Sequence, residues 1–177
     1  MFMLVCWAAA TLKLNMEPLI ISVIASKMQL HQMQLPREVV VGNETLSLLS
    51  EICKKLGFCE STLVVTGPDT QNIAGRMVID MLSDSGLDVS SFVVNAPTLW
   101  EVNAVEERIK DLKPNVVLGV GGGTKIDVAK LSSTRQNLPF ISVPTTASHD
   151  GIASPVAAVK GLCKPYSVMA QSPMAIV

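Results

Sequence analysis

The stretch GVGGGTKIDVAK, Gly119 to Lys130, decides how this chain is read. An apolar run, NVVLGV (Asn115 to Val120), feeds consecutive glycines, and a helical pattern opens directly behind them. Glycines let backbone N–H groups approach a phosphate without side chains in the way, and a helix N-terminus adds unpaired donors and partial positive charge. Thr124 and Asp127 form a T-x-x-D pattern that predicts the helix start. No GxxxxGK[ST] can be read there, so this is not a Walker A loop. Gly119 and Gly121 give G-x-G, but position 124 is Thr, and the loop follows a fourth strand instead of a first, so the usual dinucleotide fingerprint is not met. Two readings stay open on these residues alone. The glycines cradle a phosphate, or they only let helix and strand pack.

Working outward, the pattern is regular from Arg37 on. Strands are predicted at Glu38 to Gly42, Thr62 to Gly67, Ser91 to Asn95, Asn115 to Val120 and Pro139 to Val143. Between them, helical spacing places Leu46, Leu49, Ile52, Cys53 and Leu56 on one face, with Gly57 as the stop. Ile73, Met77, Met81 and Leu82 are predicted as the buried face of the next helix, and Val102, Val105, Ile109 and Leu112 as that of the third. A fourth runs from Thr124 to about Ser133. Strands thus recur at intervals of about 25 residues with a helix between, and they are apolar on both faces. The expected fold is α/β: a Rossmann-like parallel sheet flanked by helices. VAAVKGLCKPYSVMA (Val156 to Ala170) predicts a β-hairpin near the C-terminus, and MAIV the start of another strand.

The fifth strand runs into PTTASHDGIASP (Pro144 to Pro155), small and polar. Neighbouring parallel strands set their carboxyl-end loops side by side. The glycine loop is therefore expected to face Thr145, Thr146, Ser148, His149, Asp150 and Ser154. Hydroxyls can bond a nicotinamide amide or a ribose, and a carboxylate can hold a substrate hydroxyl. Asp150 is equally readable as a turn former ahead of Gly151, and His149 as an exposed loop imidazole.

Composition narrows the classes. The chain has 177 residues and a net charge of −1, with 49% hydrophobic and 16% charged residues; mean hydropathy is +0.41. No basic stripe exists and aromatics are scarce, so a nucleic-acid partner is not expected. Cys6, Cys53, Cys59 and Cys163 show no CxxC spacing and read as free thiols of a cytoplasmic protein. His31 and His149 are the only histidines, which excludes a complete His-based metal site from this chain alone. Residues 1–33 form an apolar extension whose runs are too short to span a bilayer and lack a signal peptide's basic start. A membrane partner is not expected, although attachment through this extension is a rival reading. Residues 34–177 are expected to be the α/β domain.

GVGGGTKIDVAK and PTTASHDGIASP together closely resemble the archaeal-type sn-glycerol-1-phosphate dehydrogenases. These belong to the superfamily of iron-containing alcohol dehydrogenases, glycerol dehydrogenase and dehydroquinate synthase. QLPREVVVGNETLSLLSEICKKLG (Gln34 to Gly57) is similar to the family's beginning. The resemblance implies reduction of dihydroxyacetone phosphate to sn-glycerol 1-phosphate, the glycerophosphate of archaeal membrane lipids, with NADH or NADPH. It implies that Gly123, Thr124, Lys125, Ile126 and Asp127 lie at the cofactor phosphates. Thr145, Thr146, Ala147, Ser148 and Ser154 would also contact the dinucleotide, and Asp150 the substrate. At the end of the second strand, Gly67 and Pro68 leave uncharged the place where an acid would favour NAD, with Asp69 slightly later; both NAD and NADP are expected.

The same resemblance implies a zinc ion that polarises the substrate carbonyl, held by one Asp and two His of a following helical domain. Those ligands are not expected in this chain, which stops in mid-pattern and reads as the amino-terminal half of a longer enzyme, inactive alone. Glycerol dehydrogenase or dehydroquinate synthase relatives are the rival enzymes. A non-catalytic nucleotide-binding module is the rival from another class.

Overall fold

The structure, a computed structural model, describes residues 35–146, 153–161 and 165–177. Its main sheet holds β1 (Glu38–Val39), β2 (Ser61–Thr66), β3 (Asp88–Val93), β4 (Val116–Gly121), β5 (Phe140–Pro144) and β8 (Ala175–Ile176). They run in the order β1-β8-β5-β4-β2-β3, and every pairing is parallel. The helices are α1 (Leu49–Lys55), α2 (Arg76–Asp84), α3 (Leu99–Leu112) and α4 (Gly123–Arg135). The predicted hairpin is present as antiparallel β6 (Val156–Lys160) and β7 (Pro165–Met169).

Alternation along the strands explains why they read as apolar throughout. Successive strand residues point to opposite faces. Val64, Val116, Leu118, Val120, Ile141 and Val143 pack with Leu49, Ile52, Val78 and Leu82 of α1 and α2. Leu63, Val65, Val117 and Phe140 pack with Val102, Val105 and Ile109 of α3 and with Ile126, Ala129 and Leu131 of α4. Each face is therefore sealed by two helices, and the hairpin adds Ala157 and Val159 to the second cluster. Each fully buried Val or Leu contributes about 1.5–3 kcal/mol relative to its exposed form.

Local details depart from the sequence pattern. β1 is only two residues long, although Val40 N–H still donates to Ile176 O at 2.9 Å. Gly57 ends α1 with φ +85°, as its position predicts. The buried face expected before Gly86 is corrected in its first half: Leu82 is buried and Met81 packs on the core as expected, but Ile73 and Met77 are 68% and 56% exposed, and Gly75 and Val78 are buried instead. A helical turn at Pro68–Thr70 and a π-helical turn at Gln71–Gly75 precede α2. The wider π turn shifts the phase of the residues on either side of it. It also lets Gly75 approach the end of β2, where a Cβ would stand 3.2 Å from Thr66 Oγ1.

Candidate functional site

The sheet reverses its winding between β2 and β4. From β2 the chain moves outward to β3; from β4 it moves the other way, to β5. In open parallel sheets ligands bind at such a switch point, beyond the carboxyl ends of the strands. Gly67 follows β2 there, Gly121 ends β4 and Gly122 follows it.

The glycines of the opening stretch divide by task. At Gly119 a Cβ would lie 3.0 Å from Phe140 Cε2, 3.1 Å from Ala129 Cβ and 3.2 Å from Ile126 Cα. That glycine lets α4 press directly on β4. Gly121 has φ +145°, a conformation that favours glycine. Among the described residues, a Cβ at Gly122 would meet only Thr146 Oγ1, at 3.6 Å. Among those residues the backbone here leaves a hollow at the carboxyl ends of the fourth and fifth strands.

The helix start is also corrected. Gly122, not Thr124, is the N-cap of α4, and no side chain caps it. Intrahelical bonding begins with Lys125 N–H and Ile126 N–H, which donate to Gly122 O at 3.0 and 3.3 Å. The amides of Gly123 and Thr124 precede those bonds, and a helix start leaves such amides as free-ended donors beside the hollow. Lys125 folds back over Gly67, where a Cβ would sit 2.1 Å from its Cε and 3.0 Å from its Nζ. Gly67 thus makes room for a cation beside the helix N-terminus. Thr70 Oγ1 holds the same corner, accepting from Gly67 N–H at 2.8 Å and lying 3.0 Å from Thr66 Oγ1.

The start of the loop after the fifth strand lies beside the glycine loop. Gly121 is in register with Pro144, and Thr145 N–H donates to Gly121 O at 3.1 Å. Gly122, Gly123, Thr124, Lys125 and Thr145 are half-buried and Thr146 is exposed, so this wall is open to a ligand. Ala147, Ser148, His149 and Asp150 lie outside the described residues. Ile126 is fully buried in the core, which leaves only its backbone for a ligand. The carboxylate of Asp127 faces away from the hollow: its Oδ2 accepts from Ala158 N–H of the hairpin at 3.1 Å. Ser154 meets α4 through its carbonyl, which accepts from Lys130 Nζ at 2.9 Å.

Lys130 is the residue that sequence reasoning passed over. Its side chain is 0% exposed, and Asp127 Oδ1 stands 3.6 Å from its Nζ. Burial lowers its pKa from the ordinary lysine value, and Asp127 opposes that shift. A D-x-x-K spacing usually marks an exposed helical pair; here β6 covers it. On the other face of the sheet, burial raises the Cys53 thiol to about 11, with Cys59 adding to the shift.

Nucleotide chemistry fits this corner, because backbone amides, a cation and hydroxyls converge where glycines leave space. Among the described residues, no three His, Cys, Asp or Glu side chains gather into a metal site, so no step of the chemistry below is assigned to a metal held by them.

The profile of the iron-containing alcohol dehydrogenase family matches residues 40–177. This chain belongs to that family. A glycerol-1-phosphate dehydrogenase (NAD(P)+) of Pyrococcus furiosus is 46% identical over 84% of this chain and 42% of its own length. One of Methanosarcina barkeri is 43% identical over 82% of this chain and 41% of its own. The chain thus spans well under half the length of these relatives. Among solved structures, glycerol dehydrogenase from Schizosaccharomyces pombe superposes with a TM-score of 0.75 at 26% identity, covering 84% of this chain and 38% of that one. The parallel sheet with its flanking helices and hairpin is accordingly the family fold.

Proposed function

We propose that residues 34–177 are the dinucleotide-binding part of an NAD(P)-dependent sn-glycerol-1-phosphate dehydrogenase, which reduces dihydroxyacetone phosphate to sn-glycerol 1-phosphate for membrane lipid synthesis. The observation that carries the reading is the hollow over Gly122, at the carboxyl end of β4, the strand that borders the sheet's switch point, between an uncapped helix start and Thr146. In this reading the amides of Gly123 and Thr124 and the Lys125 ammonium hold the pyrophosphate. Thr145 and Thr146, with Ala147, Ser148 and Ser154 beyond them, orient the nicotinamide half. Asp150 holds a substrate hydroxyl. Ile126 and Asp127 serve by backbone and by anchoring, not by side-chain contact. The bound nicotinamide supplies the hydride; this chain's residues bind and orient it.

Gly67 and Pro68 put no carboxylate at the end of β2, and Asp69 lies in the exposed helical turn beyond it. That supports use of both NAD and NADP. The buried Cys53 and exposed Cys59, both free, suit a cytoplasmic location. No helix among the described residues is long and apolar enough to cross a membrane. Assays of the enzyme carrying these residues, with dihydroxyacetone phosphate against unphosphorylated dihydroxyacetone, test the substrate. Preference for the unphosphorylated ketone would move the reading to glycerol dehydrogenase.

A further inference from the structure

Lys130 is the largest fully buried side chain of the described residues. Its Nζ donates to Ser154 O and to Val156 O, each at 2.9 Å. Two carbonyls, two residues apart at the entry to β6, are therefore gripped by one ammonium from α4. Asp127, one helical turn earlier, takes Ala158 N–H at 3.1 Å. The far end of the hairpin is tied to the same helix: Gln171 N–H donates to Thr134 Oγ1 at 3.1 Å and Gln171 Nε2 to Ser133 Oγ at 3.2 Å. Ala157 and Val159 seal the interface with apolar contact.

A buried ion pair is a costly way to glue a hairpin to a helix, since apolar residues of similar volume often stabilise as well or better. What an apolar side chain cannot do is fix direction. The Lys130 bonds set the position of Ser154 and Val156 along α4, the helix whose first turn forms the glycine hollow. The segment that ends at Ser154 begins at Thr145, itself pinned to Gly121. Both ends of it are thus referred to the β4–α4 unit.

We propose that Lys130 is a positioning residue for the nicotinamide half of the bound dinucleotide. It touches no ligand. It holds Ser154 and the start of β6 at a fixed place on α4, so that a whole dinucleotide finds its second wall in register with its phosphate cradle. The inference rests on the dinucleotide reading above. It requires that affinity for NADH depend on Lys130, while affinity for ADP, which reaches only the adenosine and diphosphate side, does not. A merely structural lysine would move both or neither.

The test is calorimetric titration of the full chain with NADH and, separately, ADP. The variant is Asp127→Asn/Lys130→Met, which leaves no lone buried charge and keeps an acceptor for Ala158 N–H. The expected result is a loss of NADH affinity of about tenfold or more with ADP affinity held within about twofold. Unchanged NADH affinity, or parallel losses for both ligands, would overturn the proposal. Wild-type protein that binds neither ligand overturns the dinucleotide reading itself, a distinct outcome seen before any variant is made. Should the double variant not fold, Asp127→Asn/Lys130→Gln, which also leaves no lone buried charge and keeps fewer donors for the same carbonyls, takes its place and is judged by the same two titrations.

Discussion

The first turn of α4 and the turns that follow it are built for opposite ends. Gly122 to Lys125 are half-buried, uncapped and open toward Thr146. From Ile126 to Ser133 every residue is buried, and the polar ones among them, Asp127, Lys130, Ser132 and Ser133, are spent on hydrogen bonds within the protein. One helix thus offers its end as a ligand surface and uses its body as the anchor. The difference teaches that glycine and charge in a motif such as GVGGGTKIDVAK do not share one role. Their place along the helix assigns it.

The comparison breaks most visibly in the anchor. Asp127→Ala would leave Lys130 buried without its counter-charge and Ala158 N–H without its acceptor. Loss of about 3–5 kcal/mol in urea denaturation is expected; a loss below about 1 kcal/mol, the range of exposed pairs, would show the pair to be solvated.

The opposite face of the sheet supplies a control. Cys53 has its pKa raised in the fold from 9.0 to about 11. The thiol is neutral and fully compatible with burial below pH 9. As pH rises toward about 11 the unfolded chain loses its proton first, so stability falls across that window. Two units correspond to about 2–3 kcal/mol. Urea midpoints at pH 8 and 10.5 should therefore differ more for wild type than for Cys53→Ala, and equal differences would contradict the assignment.

Gly119→Ala and Gly122→Ala sharpen the contrast within a single motif. The first places a Cβ 3.0–3.2 Å from Phe140, Ala129 and the Ile126 backbone. An overpacking cost of about 1–3 kcal/mol follows, with nucleotide affinity kept in the folded protein. The second adds a methyl in ordinary contact with Thr146, so the thermal midpoint should stay nearly unchanged. Its methyl fills the hollow, however, and NADH affinity should fall about tenfold or more. Reversed phenotypes would mean that the two glycines were assigned the wrong way round.

Much of this architecture was legible in the sequence because burial on both faces leaves a continuous apolar signal. VVLGV, TLVVT and FISV read as inner strands, and they sit at β4, β2 and β5. The glycine loop was legible as a choice between packing and phosphate. The structure shows packing at Gly119 and, among the described residues, room for a methyl at Gly122, a division that only three-dimensional neighbours such as Phe140 and Thr146 could reveal. The T-x-x-D pattern misled, since Gly122 is already the N-cap and the Asp127 carboxylate is drawn to Ala158 instead of back to the helix start. The π turn at Gln71–Gly75 hid the true face of α2, because periodicity assumes an unbroken helix. Lys130 was invisible as an anchor: nothing in the chemistry of lysine announces that a hairpin some 25 residues later will cover it. Asp150, central to the substrate reading, lies outside the described residues.

The central claim is that the first turn of α4 cradles the pyrophosphate of a dinucleotide. Titration of NADH into wild type and Gly122→Ala, both shown to be folded by circular dichroism, tests it most directly. The account predicts saturable binding to wild type that the single added methyl weakens about tenfold or more. Equal binding to both proteins, or none to wild type, would contradict it.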